Sequence, residues 1–378
     1  MTNKKIRVVV LFGGRSGEHE VSLASAKGVM GALDPDQYEV LPVGITKTGN
    51  WLFDGNPMQT LLAGGVAVEE ATTPLEVEAE LVQSGGTALA TTRATVTGAA
   101  TLATADVIFP VLHGPYGEDG TVQGLFEIAG IPYVGSGVAG SAVGMDKGMM
   151  KALFANAGLA QLPYVVVTRH QWQKEANTVI AALETSLPYP MFVKPANLGS
   201  SVGISKVRNT DELRNGLTVA AGYDRRIVVE KGLNKPREIE VAVLGNDEPQ
   251  ASVAGEIIPL EKYEFYDYES KYSEGQAALL IPAPLSDEAM ADVRQMAVRA
   301  FQAIDAAGLS RVDFLLDRDT GRFYLNEINT MPGFTTTSMY PKLWEATGIP
   351  YHELVGKLVE LAIERSGTQK AESGNDIP

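Results

Sequence analysis

The chain has no cysteine in its 378 residues. Disulfides, thiolate catalysis and cysteine-based metal sites are therefore excluded, and the absence is compatible with a reducing cytosol. Basic residues are in deficit: 31 Lys and Arg face 46 Asp and Glu, for a net charge of −15. That balance argues against nucleic acid or an anionic membrane as a bulk partner, although local basic clusters can still hold phosphates. No apolar run reaches the roughly 18 residues of a membrane span. The run Val8 to Phe12 is too short for a signal-peptide core and stops at Gly13-Gly14-Arg15. A cytoplasmic protein is expected. What is present, 45% hydrophobic and 20% charged residues, is the composition of a soluble globular protein. The length exceeds a usual single core, so two or three domains are expected.

The hydrophobic pattern opens as a βαβ unit: a buried strand over Ile6 to Phe12, a helix over Val21 to Leu33 and a strand over Tyr38 to Ile45. Residues 46–105 read as short hairpins or an elaborated insertion. A core strand then ends at His113-Gly114, followed by a helix over Thr121 to Ala129. These elements make a first unit, residues 1–135. A second, 136–233, holds a helix from Lys147 to Asn156 and strands at Pro190 to Lys194 and Arg226 to Glu230. A third, 234–366, holds strands at Arg237 to Gly245 and Gln250 to Pro259, a helix from Asp287 to Ala307 and a helix from Pro350 to Arg365. The polar tail 367–378 is expected to be disordered.

Within the third unit, Arg311 to Asp317 and Arg322 to Asn329 read as the arms of a β-hairpin, with Asp319-Thr320-Gly321 as a three-residue loop. Pairing Arg318 with Arg322 sets Asp313 opposite Glu327 and Arg311 opposite Asn329. Residues two apart share a face, so these four form one polar patch. Two carboxylates and an amide oxygen are hard ligands suited to Mg²⁺ on nucleotide phosphates. The plainer reading is a solvated face with a salt bridge.

Three loops carry further chemistry. Asn197 to Gly203 follows Lys194 and is rich in Gly and Ser, which lets backbone N–H groups close around an anion. It is not the P-loop pattern. Gly13 to Gly17 lacks dinucleotide-fold spacing, and Glu18 after it could simply favour a helix start. His113 to Gly120 lies at a strand's C-terminal end, where open α/β sheets place ligands; a His beside glycines is expected to be accessible. Phe265 to Tyr272 reads as a lid over a ligand or as an ordinary strand.

Together and in this order, these segments resemble the D-alanine–D-alanine ligase family of the ATP-grasp superfamily. The matching pieces are Gly13 to Ser22, His113 to Gly120, Met145 to Lys147, Val193 to Pro195, Gly199 to Gly203, Arg237 to Glu240, Phe265 to Tyr272, Gly308 to Asp313 and Glu327 to Gly333. The resemblance implies an α/β fold of three domains: an N-terminal parallel-sheet domain, then central and C-terminal domains with ATP between them. It implies Lys147, Lys194, Ser201 and Lys271 at the phosphates, Glu230, Lys231 and Leu233 at the adenine, and Glu238 at the ribose. Asp313, Glu327 and Asn329 would bind two Mg²⁺ ions, for which Mn²⁺ can substitute. Arg311 and the Gly333 N–H would hold a tetrahedral oxyanion. Glu18 would bind the first substrate's ammonium and His113 would orient it. Ser338 would lie near substrate, and Tyr272, Ser200 and Glu18 would form a hydrogen-bonded network.

The implied activity is ATP-dependent joining of two D-alanines through a D-alanyl phosphate, for peptidoglycan precursor synthesis, by a homodimer. The rivals are a D-alanine–D-lactate ligase and a non-catalytic ATP-binding module of the same shape. Retention of Lys271-Tyr272 favours an amine nucleophile, and retention of Arg311 and the three metal ligands favours catalysis.

Overall fold

A computed structural model describes residues 4–64, 101–199, 202–259 and 277–373. Three sheets organise them. The first has order β3-β2-β1-β4, from β1 (Ile6–Gly13), β2 (Tyr38–Ile45), β3 (Trp51–Leu52) and β4 (Val107–Val111). Strand β1 lies parallel to both β2 and β4. Val8 to Phe12 have no exposed surface, as expected of a parallel strand covered on both faces. Helix α1 (His19–Ala32) follows β1, α2 (Pro57–Leu62) follows β3, and α3 (Thr121–Ala129) follows β4. The chain leaves β1 towards β2 on one side, while β4 lies on the other. The loops after β1 and β4 therefore meet at the switch point where such sheets bind ligands.

Helices α4 (Val138–Met145) and α5 (Lys147–Asn156) lead into the second sheet, of order β5-β8-β6-β7. It comprises β5 (Tyr164–Thr168), β6 (Met191–Pro195), β7 (Ser205–Val207) and β8 (Arg226–Lys231). Helices α6 (Arg169–Lys174), α7 (Ala176–Ser186) and α8 (Thr210–Tyr223) belong to this unit, and its core joins Trp172, Leu183, Leu213 and Leu217 to Val193, Ile227 and Val229.

The third sheet is antiparallel, order β11-β10-β9-β12-β13. Its strands are β9 (Arg237–Gly245), β10 (Gln250–Pro259), β11 (Ala277–Leu280), β12 (Gly308–Leu316) and β13 (Phe323–Asn329). Along β12, Val312, Phe314 and Leu316 are buried with α9 (Asp287–Ala303), while Arg311 and Asp313 alternate with them on the other face. Helices α10 (Met339–Thr347) and α11 (Tyr351–Ser373) share a core with the first sheet, through Phe334, Tyr340, Trp344, Leu354 and Leu358 beside Val8, Val10 and Phe109. First and third sheets are thus coupled by one apolar cluster.

Helix α11 continues past Arg365 through Ser366-Gly367 to Ser373, a stretch that sequence reading gave to a disordered tail. Four turns anchored by buried Leu354, Leu358 and Ala362 outweigh the roughly 1 kcal/mol that one glycine costs in a helix. Residues 374–378 lie outside the described ones, as does most of the 46–105 segment. Among the described residues, no helix is long and apolar enough to cross a membrane.

Candidate active site

The β12–β13 hairpin places Arg311 opposite Asn329 and Asp313 opposite Glu327, as the sequence predicts, but by another route. The loop is one residue longer than predicted. Asp317 closes it on Arg322, and Gly321, at φ +68°, makes the turn. The ladder then shifts between Asp313 and Phe314, so Asn326 is an extra residue on β13. A bulge of this kind re-aims side chains locally. Asn326 and Glu327 both come to the polar face, and Asn326 Oδ1 accepts from Lys194 Nζ at 3.3 Å.

On that face Arg311 forks onto Asp313, Nε to Oδ1 and Nη2 to Oδ2, both 2.7 Å. Its Nε is also 3.1 Å from Glu240 Oε2. Burial works against the guanidinium charge, yet Asp313 and Glu240 hold its pKa well above the ordinary value. Glu240 on β9 pairs with Asp313, so Glu240, Asp313 and Glu327 form a row across three strands. Asn329 Oδ1 accepts from the Met331 N–H at 3.0 Å and keeps a second lone pair. The donor set, two carboxylates and an amide oxygen, fits a hard divalent cation. Among the described residues, no group of three or more His, Asp or Glu is arranged to hold a metal by itself. A cation here has to complete its shell with water or phosphate.

Lysines approach from the second unit. Asp146 caps α5, accepting from the Gly148 and Met149 N–H groups at 3.0 Å, and is ion-paired with Arg226. That cap fixes Lys147, whose Nζ donates to the Leu198 carbonyl at 2.7 Å and lies 3.6 Å from Glu327 Oε2. One turn further, Lys151 Nζ lies 2.9 Å from Glu230 Oε2, while Lys194 pairs with Glu230 Oε1. Burial pushes the Glu230 carboxyl up, but the two ammonium groups outweigh it and hold the pKa at about 2. Burial opposes the charge of Lys194 too; Glu230 overcomes it, and the lysine's pKa is raised. Lys231 donates its N–H to the Pro163 carbonyl, Leu233 and Glu238 are half-buried, and the charge of Glu238 acts on Lys194.

The first sheet supplies the remaining wall. Glu18 occupies the N-cap position of α1 without making a capping side-chain bond, so at the helix start only the dipole favours its charge. Its Oε2 lies 3.4 Å from where a Cβ on Gly114 would stand and 3.8 Å from one on Gly199, between the two loops. His113 is 4% exposed, not accessible as expected. The glycines beside it pack the loop tightly: a Cβ on Gly117 would meet the Leu112 backbone at 3.0 Å. His113 Nδ1 is 3.1 Å from the Met331 carbonyl and 3.4 Å from Glu118 Oε1, whereas its Nε2 is buried with no protein partner. Desolvation lowers its basicity, but Glu118 and Glu18 prevail and raise the pKa. Gly333 abuts Ser338, whose Oγ would be 3.2 Å from a Cβ at that position.

This three-sheet arrangement has known counterparts. Residues 7–136 match the family described as "D-ala D-ala ligase N-terminus", and residues 153–360 match "D-ala D-ala ligase C-terminus". The D-alanine–D-alanine ligase of Heliobacterium modesticaldum is 51% identical, covering 99% of each chain. The chain belongs to the D-alanine–D-alanine ligase family. The ligase of Deinococcus radiodurans is 50% identical over 95% of this chain and 99% of its own. Among solved structures, the Coxiella burnetii D-alanine–D-alanine ligase superposes with a TM-score of 0.77 at 32% identity, covering 98% and 97% of the two chains. VanG D-Ala:D-Ser ligase from Enterococcus faecalis also gives 0.77 at 32%, covering 95% and 100%. The fold is the ATP-grasp fold of these ligases.

Within this family member, Glu18, His113, Lys147, Lys194, Glu230, Arg311, Asp313, Glu327 and Asn329 converge, as described above. Ser200, Ser201, Lys271 and Tyr272 lie outside the described residues. Sequence reading missed Lys151, Glu118 and Glu240. Lys151 could have been found as the i+4 neighbour of Lys147, since that spacing places both on one helix face. Glu240 could have been found two residues from Glu238, on the same strand face.

Proposed function

We propose that this family member joins two D-alanines to D-alanyl-D-alanine at the expense of ATP, through a D-alanyl phosphate. The observation that supports the reading is the convergence of Lys147, Lys194 and Arg311 on the polar face of the hairpin, with Glu18 beside Gly199 next to the Leu198 carbonyl that Lys147 binds. The proposed domains are 1–135, 136–233 and 234–366, with ATP between the last two.

Lys147 and Lys194, with Ser201 and Lys271, take the phosphates; Glu230, Lys231 and Leu233 face the adenine and Glu238 the ribose. Asp313, Glu327 and Asn329 would hold two Mg²⁺ ions, or Mn²⁺ in their place, which would supply positive charge to the transferring phosphoryl group. Glu18 receives the ammonium of the first D-alanine, and His113 orients it from its buried Nε2. A carboxylate oxygen of that D-alanine attacks the γ-phosphorus, the bond to the β-phosphate oxygen breaks, and ADP leaves. The second D-alanine, its amine deprotonated, attacks the acyl carbonyl. The C–N bond forms, inorganic phosphate departs, and the amine sheds its remaining extra proton. Arg311 and the Gly333 N–H stabilise the oxyanion that forms between these events. Ser338 and the Tyr272–Ser200–Glu18 network complete the substrate side. A cytoplasmic homodimer is the proposed setting.

The test is product analysis by mass after incubation with ATP, Mg²⁺ and D-alanine, D-serine and D-lactate in competition. D-alanyl-D-alanine with stoichiometric ADP is expected. Equal rates with L-alanine, or ADP release without dipeptide, would refute the assignment.

A further inference from the structure

We propose that Glu240 is a positioning residue for Arg311, an anchor that leaves Asp313 available to a divalent cation. This rests on the roles of Arg311 and Asp313 proposed above. Glu240 is 5% exposed on β9 within the sheet, directly paired with Asp313. An ionised carboxylate is costly to bury unless a cation meets it, and Arg311 Nε lies 3.1 Å away. The same guanidinium forks onto both oxygens of Asp313. Arg311 and a metal therefore draw on the same carboxylate. Without Glu240, Arg311 would direct most of its attraction at those lone pairs, with Glu327 the weaker remaining charge. It would also shift whenever they turned to the cation. Glu240 divides that attraction and holds the guanidinium from the side away from Glu327, because β9 and β13 flank β12. Outer carboxylates of this kind tune a site without touching substrate.

Two variants separate anchoring from mere negative charge. Glu240→Gln keeps the shape and removes the charge. Glu240→Asp keeps the charge but withdraws it by roughly 1.5 Å, one C–C bond. Calorimetry measures ADP binding with and without Mg²⁺, with no turnover; steady-state assays supply kcat at saturating Mg²⁺. Both variants are expected to bind metal-free ADP as the parent does. Both are expected to bind ADP with Mg²⁺ about 10- to 100-fold more weakly, with kcat still depressed at saturating Mg²⁺. A Glu240→Asp protein matching the parent in both readouts overturns the proposal, whatever Glu240→Gln does. So does loss of the parent's melting transition in both variants, which would make the pair purely structural. If the parent makes no dipeptide, the functional reading fails while the calorimetric comparison still decides the place of Glu240.

Discussion

Replacing Lys151 by Met removes one of two ammonium groups that hold Glu230 in the interior. The drop of the Glu230 pKa from 4.5 to about 2 corresponds to roughly 3 kcal/mol favouring the carboxylate. Breaking a buried pair commonly costs about 3–5 kcal/mol, because the surviving charge is left without its partner. Lys194 remains and still meets the carboxylate, so a loss of about 2–4 kcal/mol is expected, a little under the cost of a charge left wholly unpaired. The pH dependence has a definite sign. A depressed carboxyl stabilises the fold fully above its unfolded value and loses that contribution as pH falls towards the folded one. For Glu230 the window runs from 4.5 down to about 2. In the variant burial is less opposed, so Glu230 takes up its proton at higher pH. The gap between parent and variant is then widest at pH 7 and narrows below the ordinary carboxylate range. Urea unfolding at several pH values, with hydrogen exchange of β6 and β8 as a local readout, measures both quantities. A gap under about 1 kcal/mol at neutral pH, the scale of an exposed ion pair, would refute the buried-triad argument.

Three other outcomes are expected. Glu327→Gln should abolish turnover while leaving the melting temperature near that of the parent, since one anionic ligand is lost from a half-exposed site; near-normal activity at modest Mg²⁺ would mark the hairpin face as a solvated surface. The His113 imidazole should stay protonated above pH 6.5, because Glu118 and Glu18 raise its pKa against burial. Its contribution to stability is then complete below the unfolded value and lost as pH rises through the folded one; imidazole NMR showing an ordinary titration would contradict this. Lys147→Met should raise KM for ATP while the variant still melts cooperatively, and an unchanged KM would remove Lys147 from the phosphate site.

Much of the frame was legible because it depends on local pattern. The strands Tyr38–Ile45, Arg237–Gly245 and Gln250–Pro259 and the helices Thr121–Ala129 and Lys147–Asn156 match their predicted limits. Elements whose pattern is weak were not seen. Strand β5 is largely half-exposed at a sheet edge, and α6 and α7 carry few buried residues. Helix α10 contains Pro341, a breaker in mid-helix; here it falls in the first turn, where no backbone N–H is required. The site was legible wherever chemistry is carried by residue type, as with Asp313 and Glu327. It was not legible where a partner is chosen by tertiary packing. Lys151 on a helix reads as a solvent lysine until β8 brings Glu230 against it. His113 reads as exposed until the loop after β13 covers it with Met331.

The hairpin shows how a correct pairing can rest on an incomplete argument, and it yields the last prediction. Phe314 opposes Leu325, while Asp313 opposes Glu327, so Asn326 sits between two ladders of different register. Deleting Asn326 would join Leu325 to Glu327, giving Leu, Glu, Ile and Asn in strict inward and outward alternation. The pairing of Glu327 with Asp313 and of Asn329 with Arg311 is unchanged by that deletion. What is lost is the local twist and the Asn326 contact to Lys194 at 3.3 Å. The shortened chain should therefore fold with a change of about 1 kcal/mol or less, the scale of one ordinary hydrogen bond. Its affinity for ADP with Mg²⁺ should fall, because Lys194 and the Glu327 carboxylate are no longer aimed together. Asn326→Ala apportions the loss: it removes the side chain and keeps the bulge. If the deletion lowers affinity well beyond Asn326→Ala, the twist aims the site; if the two match, the amide alone matters. A deletion protein that fails to fold would show that the bulge supports the sheet itself, and would refute the regular-ladder argument.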